Sequence, residues 1–158
     1  MKTFFISILF LLFTNTSFSQ SKKEVKKHKI KASAVSVVEN GKTINESKTI
    51  FDANGNEIET TDYTKDGSIK AIHKIKYNKE GDEIEDEQYD ASNKLIEKKI
   101  TKYNLSNDKL EENYFDASGK LTKKHLYTYD SKGLKIERKT LDAEGKITSV
   151  KKYVYITK

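Results

Sequence analysis

Three groups of residues in this chain could do chemistry: two histidines inside alternating stretches, a run of carboxylates, and tyrosines interleaved with lysines. His73 and His125 occupy one column of a 26-residue repeat, two repeats apart, with Lys99 and Lys151 at the equivalent places. If each repeat is a pair of strands, the histidines lie four strands apart, roughly 19 Å at about 4.8 Å per strand. That is too far to share a metal ion, so both read as half-exposed strand histidines. The carboxylates Asp82, Glu83, Glu85, Asp86, Glu87 and Asp90 could suggest calcium or an acid/base pair. A strand sends alternate members to opposite faces, however, and basic stretches flank this one, so ion pairing is the simpler account. Aspartates recur at turns, but Ala53, Lys79 and Ala117 stand where a calcium loop needs further oxygen donors. No Ser/His/Asp grouping, phosphate-cradling glycine loop or zinc signature occurs. The reading is therefore non-enzymatic, with no cofactor and no metal.

The chemistry left over is that of surfaces. Tyrosine rings can stack on sugars while lysines supply cations. Both are dense toward the C-terminus, where Lys123, Lys124, Tyr127, Lys139, Lys151, Lys152, Tyr153 and Tyr155 form the candidate contact surface. A glycan, matrix or envelope-protein partner fits such a surface.

What must position these side chains is legible from the glycines. Gly41, Gly55, Gly67, Gly81, Gly119, Gly133 and Gly145 fall on one series of alternating steps of 14 and 12, and Asn93 and Asn107 fill its two remaining rungs. Asparagine shares with glycine a tolerance for left-handed backbone, so all nine rungs read as turns. Asp52-Ala-Asn-Gly55 and Asp116-Ala-Ser-Gly119 fit a type I turn closed by a left-handed residue, the sequence of a hairpin loop with a bulge.

Between rungs the pattern has period two. Ile69, Ala71, His73, Ile75 and Tyr77 alternate with Lys70, Lys74 and Lys76, and no part of the exported chain sustains a period of 3.6. Nine turns predict about ten consecutive strands in an all-β, antiparallel up-and-down meander of 26-residue double hairpins. The short strands are acidic and the long ones basic, so a meander sets opposite charges side by side. The columns Tyr77/Tyr103/Tyr129/Tyr155, Ile69/Leu95/Leu121/Ile147 and Ile58/Ile84/Leu110/Ile136 are the expected core. The sheet is expected open or loosely curled, with a closed barrel as the alternative, since closure would remove edges that no proline protects. Register is left open: Ile58 and Tyr63 are an odd number of residues apart and fall on opposite faces unless a bulge intervenes.

Phe51-Asp-Ala-Asn-Gly55-Asn-Glu-Ile58, Tyr89-Asp-Ala-Ser-Asn93-Lys-Leu95 and Phe115-Asp-Ala-Ser-Gly119-Lys-Leu121 resemble the YD repeat of the rearrangement-hot-spot (Rhs) and teneurin-like proteins. The resemblance runs from about Val37 to Tyr155. It implies a sheet of hairpins in a surface or secreted setting.

Residues 1–19 read as a cleaved export signal: Lys2, an apolar run from Thr3 to Phe13, then small Ser17 and Ser19. With no cysteine there is neither a lipid anchor nor a disulfide. The expected location is secreted, periplasmic or extracellular, with no transmembrane span after cleavage, and export argues against a nucleic-acid partner. Residues 20–29 read as a solvated basic arm, since Ser21 to Lys31 hold six lysines against Glu24 alone. From Ala32 onward 23 basic residues meet 23 acidic ones, which leaves all of the repeat domain (residues 30–158) that follows Lys31 neutral in sum. The expected function is a repeat protein that presents a sheet surface to a partner, with edge-to-edge self-association open to it. The alternative is a small barrel that carries an apolar ligand.

Overall fold

A computed structural model describes residues 21–156, so the signal-peptide reading lies outside the described residues. A short helix α1 (Lys22–Lys27) precedes ten strands: β1 (Ala32–Glu39), β2 (Lys42–Phe51), β3 (Glu57–Tyr63), β4 (Ile69–Tyr77), β5 (Glu83–Tyr89), β6 (Leu95–Tyr103), β7 (Lys109–Asp116), β8 (Leu121–Tyr129), β9 (Lys135–Asp142) and β10 (Ile147–Lys152). They form one antiparallel sheet in sequence order. β1 pairs only with β2 and β10 only with β9, so the meander stays open and the barrel alternative is not what forms.

Every rung of the ladder has positive φ, from +59° at Asn93 to +89° at Gly81. At Asp52 the loop closes as its spelling requires. The Gly55 amide donates to the Asp52 carbonyl at 3.1 Å, and the Asp52 carboxylate accepts from the Asn54 and Asn56 amides at 2.8 Å each. The first rung is a different turn. Glu39 pairs directly with Lys42, and Asn40 and Gly41 both have positive φ, which makes a two-residue type I′ hairpin.

Each later hairpin carries one bulge at a fixed place. Phe51 pairs with Glu57 but Ile50 with Glu59, so Ile58 is passed over. The same step passes Lys70, Ile84, Ile96, Leu110, Thr122, Ile136 and Thr148. This bulge resolves the odd Ile58-to-Tyr63 spacing, and it corrects the expected core. The bulged aliphatics are half exposed, Leu110 at 43%, and Ile147 of the neighbouring column is 50% exposed. Burial falls instead at mid-strand, on Ala71, Thr61, Thr101, Glu112, Asn113 and His125, where neighbouring strands shield both sides of a single layer.

The tyrosine column has a second use. The hydroxyls of Tyr77, Tyr103, Tyr129 and Tyr155 donate to the carbonyls of Glu57, Glu83, Lys109 and Lys135, each 20 residues earlier, at 2.8 to 2.9 Å. The first three bonds tie the end of a long strand to the start of the short strand before it, and Tyr155, just past β10, reaches the start of β9 in the same way. In the first repeat the same column holds Phe51, which has no hydroxyl; there the carbonyl of Lys31 accepts the Phe51 amide instead, at 2.9 Å.

The basic arm is not the solvated leader its charge suggested. Ser21 caps α1, its hydroxyl accepting from the Glu24 amide at 3.3 Å, and Val25 is 1% exposed. The helix lies over the Gly55 turn, lining a hollow with Phe51, Asn56, Glu57, Tyr77 and Gly81. It ends in a Schellman motif: Ile30 donates to the Val25 carbonyl at 3.0 Å and Lys29 to that of Lys26 at 3.3 Å. Lys29 adopts φ +52° in the place where glycine is usual. Lys29→Gly should therefore raise stability by about 1 kcal/mol, seen as a higher denaturant midpoint. A lower midpoint would show that the lysine side chain contributes more than its backbone strain costs.

Candidate ligand-binding face

The charge alternation produces the pairing it predicted. On β5, Glu85 meets Lys76 of β4 and, at 2.6 Å, Lys98 of β6; Lys99 reaches Glu83 at 2.7 Å and Asp86 at 3.1 Å. Glu83, Glu85, Asp86 and Glu87 are thus tied up in cross-strand ion pairs, while Asp82 and Asp90 accept hydrogen bonds in the turns. His73 Nδ1 lies 3.3 Å from Asp86 on the next strand. The two histidines do sit on β4 and β8, four strands apart, but His125 is buried, 9% exposed, against the expectation of a half-exposed side chain. Among the described residues no group of three or more His, Cys, Asp or Glu comes together as a metal site.

The burial of His125 belongs to a cluster that the sequence did not single out. Glu112, 6% exposed, is its centre. Its Oε1 accepts from Lys109 Nζ at 2.6 Å, while Oε2 accepts from the hydroxyls of Tyr127 at 2.5 Å and Tyr114 at 3.2 Å and faces His125 Nδ1 at 3.2 Å. Burial alone would push this carboxyl up. The bonds from Lys109, Tyr127 and His125 outweigh it and hold the group down at about 2. Burial and the Glu112 charge push the Tyr114 hydroxyl up to about 12, and burial with the bond to Glu112 raises Tyr127 as well.

Register divides the expected contact surface in two. Tyr127, Arg138 and Lys151 are paired across β8, β9 and β10 and so share a face; Lys123, in phase with Tyr127 and His125 on β8, joins them. Tyr153 belongs to this cluster too, with the ammonium groups of Lys135 and Lys151 each 5.6 Å from its ring centre. Lys124, Lys139 and Lys152 point the other way, since Lys139 pairs with Leu126 and Val150, and Lys152 with Glu137. Tyr155 bonds Lys135 through its hydroxyl at the end of the sheet. Sequence reasoning therefore merged two surfaces and left out two members of one of them, Lys135 and Arg138. One signal was available: Arg138 is the chain's only arginine.

On this face lysines rest on rings. Lys123 lies 3.9 Å from the ring centre of Tyr114, and Lys135 4.9 Å from that of Tyr127. The opposite face offers a shallow apolar hollow between Leu95, Ile100 and Phe115. No described helix is long and apolar enough to cross a membrane.

No family model matches the chain, and no curated protein does. The solved structures to which the chain is similar include these three. A Bacteroides fragilis protein of unknown function aligns over 80% of this chain and 96% of its own at 12% identity and a TM-score of 0.46. TarM aligns over 84% of this chain and 24% of its own at 22% identity and a TM-score of 0.29. The GtfA/B complex bound to UDP and GlcNAc aligns over 68% of this chain and 22% of its own at 14% identity and 0.29. This chain thus spans about a quarter of TarM. At these TM-scores the likenesses lend nothing to the functional reading.

Proposed function

We propose that this chain is a non-enzymatic, exported binding module whose histidine-bearing face holds a surface polysaccharide. The observation that carries the reading is the single layer. A sheet ordinarily buries one face under a second layer, whereas here no described element other than α1 packs on the sheet, and α1 covers only one end. The exposed face is lined by tyrosine and lysine rather than by an apolar patch, which suits hydroxyl-rich sugar better than a hydrophobic protein groove. The interior that an apolar-ligand carrier requires is not formed by the described strands. The resemblance to YD repeats supports the surface setting.

Tyr153 is the residue with which to test the platform. Tyr127 and Tyr155 donate hydrogen bonds through their hydroxyls, whereas Tyr153 is half buried with the ammonium groups of Lys135 and Lys151 against its ring. In affinity electrophoresis through gels cast with neutral or acidic polysaccharides, the protein should be retarded by at least one of them. Tyr153→Ala should lose about tenfold in affinity, within the range of one aromatic stacking contact. Unretarded migration of folded protein through every gel would overturn the reading.

A further inference from the structure

We infer that Arg138, Lys135 and Lys151 form an oxyanion site, so that the polysaccharide bound on this face is an acidic one; the inference rests on the platform reading above. The sheet's middle pairs its cations with carboxylates, as Lys76, Lys98 and Lys99 show. On the histidine-bearing face this stops at the C-terminal end. No described carboxylate lies within 4.0 Å of Arg138, Lys135 or Lys151. Arg138 Nε is buried without a hydrogen-bond partner. The nearest buried acid, Glu112, is already committed to Lys109, Tyr127, Tyr114 and His125. Glu137, adjacent in sequence, pairs with Lys152 in register and meets Lys139 at 3.2 Å on the opposite face.

Charge and geometry then agree. Arg138 stands in register between Tyr127 and Lys151. Lys135 reaches the rings of Tyr127 and Tyr153, and Lys151 that of Tyr153. An ammonium resting on a ring has no stronger partner to hold it, and an arriving oxyanion would draw it away. The guanidinium offers a planar fork of donors that matches a carboxylate or sulfate, which a lysine does not. In a chain that otherwise uses lysine everywhere, the one arginine is a residue whose Nε the protein leaves without a hydrogen-bond partner. Tyr127 and Tyr153 flank the site with rings against which a sugar can lie.

The test compares polygalacturonate with its methyl-esterified form, the same sugar chain without the charge, at about 0.15 M salt. Wild-type protein should bind the free acid at least about tenfold more tightly. Arg138→Gln should remove that preference, Arg138→Lys should recover only part of it, and Lys152→Gln on the opposite face should leave it unchanged. Lys151→Gln, at an exposed position, supplies the same loss if the Arg138 variants fail to fold. A preference for dextran sulfate over polygalacturonate with the same Arg138 dependence would assign the oxyanion as sulfate. Equal losses in Arg138→Gln and Lys152→Gln, or equally tight binding to polynucleotide or anionic vesicles, would reduce the site to general basic charge and overturn it. Binding to the ester that depends on Tyr153 but not on Arg138 would remove this inference and leave the platform standing. Absence of binding to any polysaccharide would remove both.

Discussion

Alanine in place of Glu112 will destabilise this sheet more than the loss of any aliphatic residue of its repeat columns. The carboxylate accepts from Lys109, Tyr127 and Tyr114 and faces His125, and the site is almost closed to water. Removing it leaves two hydroxyls and a partly exposed ammonium without their acceptor, a loss of about 2–4 kcal/mol. Truncating Leu110 removes a side chain that already shows 43% of its surface to water, and should cost no more than about 1 kcal/mol. Urea unfolding of Glu112→Ala and Leu110→Ala measures the difference, and a larger loss in Leu110→Ala would return the core to the aliphatic columns.

The same group sets an acid limit. In the fold Glu112 is held at about 2, below its ordinary 4.5. The unfolded chain therefore takes up this proton first as pH falls. The stabilisation is complete above about pH 5 and is lost progressively down to about pH 2, by an amount on the order of 3 kcal/mol. Glu85, Glu87 and Glu111 are shifted the same way, so wild-type stability falls throughout this window. Glu112→Gln should be less stable at neutral pH and visibly flatter between pH 5 and 2. An unchanged acid slope in that variant would show that the carboxylate is not held down by its neighbours.

The backbone of this molecule was legible because it is written in few residue types with strict spacing. Positive φ favours glycine and asparagine, so a 14/12 series of those residues reads as a series of turns. Opposite charges on alternate strands then fix which strands are neighbours. The side-chain plan was harder. Which strand residues become buried depends on where the bulge falls, and Ile58, Ile84, Leu110 and Ile136 look like core until the bulge is seen to lift them out. Glu112 is one glutamate among many in the acidic strands, and nothing in its own strand marks it. Its importance comes from His125 and Tyr127 across the pair, so it is visible only once register is known. The split of the C-terminal basic patch has the same cause, since the face of Lys139 relative to Lys151 depends on the pairing after the bulge at Thr148.

Helix α1 was hidden for a different reason: six residues are too few to show a helical period. Its signals were local, a capping sequence Ser21-x-x-Glu24 and one apolar residue, Val25, among lysines.

Gly55→Ala will test that helix by a comparison the sheet itself provides. Gly55 and Gly119 have nearly equal φ, +81° and +83°, in Asp-Ala-x-Gly loops that differ only at Asn54 against Ser118. A left-handed alanine costs about 1–2 kcal/mol at each. Around Gly119 a new Cβ meets nothing within 4 Å, whereas at Gly55 it would stand 2.6 Å from the Lys22 carbonyl oxygen and 3.3 Å from the Lys26 amide nitrogen. Both contacts are backbone, so the helix must leave or the turn must shift. Departure limits the penalty to what docking contributes, chiefly the burial of Val25, about 1.5–3 kcal/mol. Gly55→Ala should therefore be the worse variant by about that amount, and limited trypsin digestion should cut it after Lys26 or Lys27 while Gly119→Ala stays protected there. With Val25→Ala already present, the gap between the two glycine variants should close, because no docked helix is left to expel. Equal stability and equal protection in the two single variants would mean that α1 does not rest on the Gly55 turn.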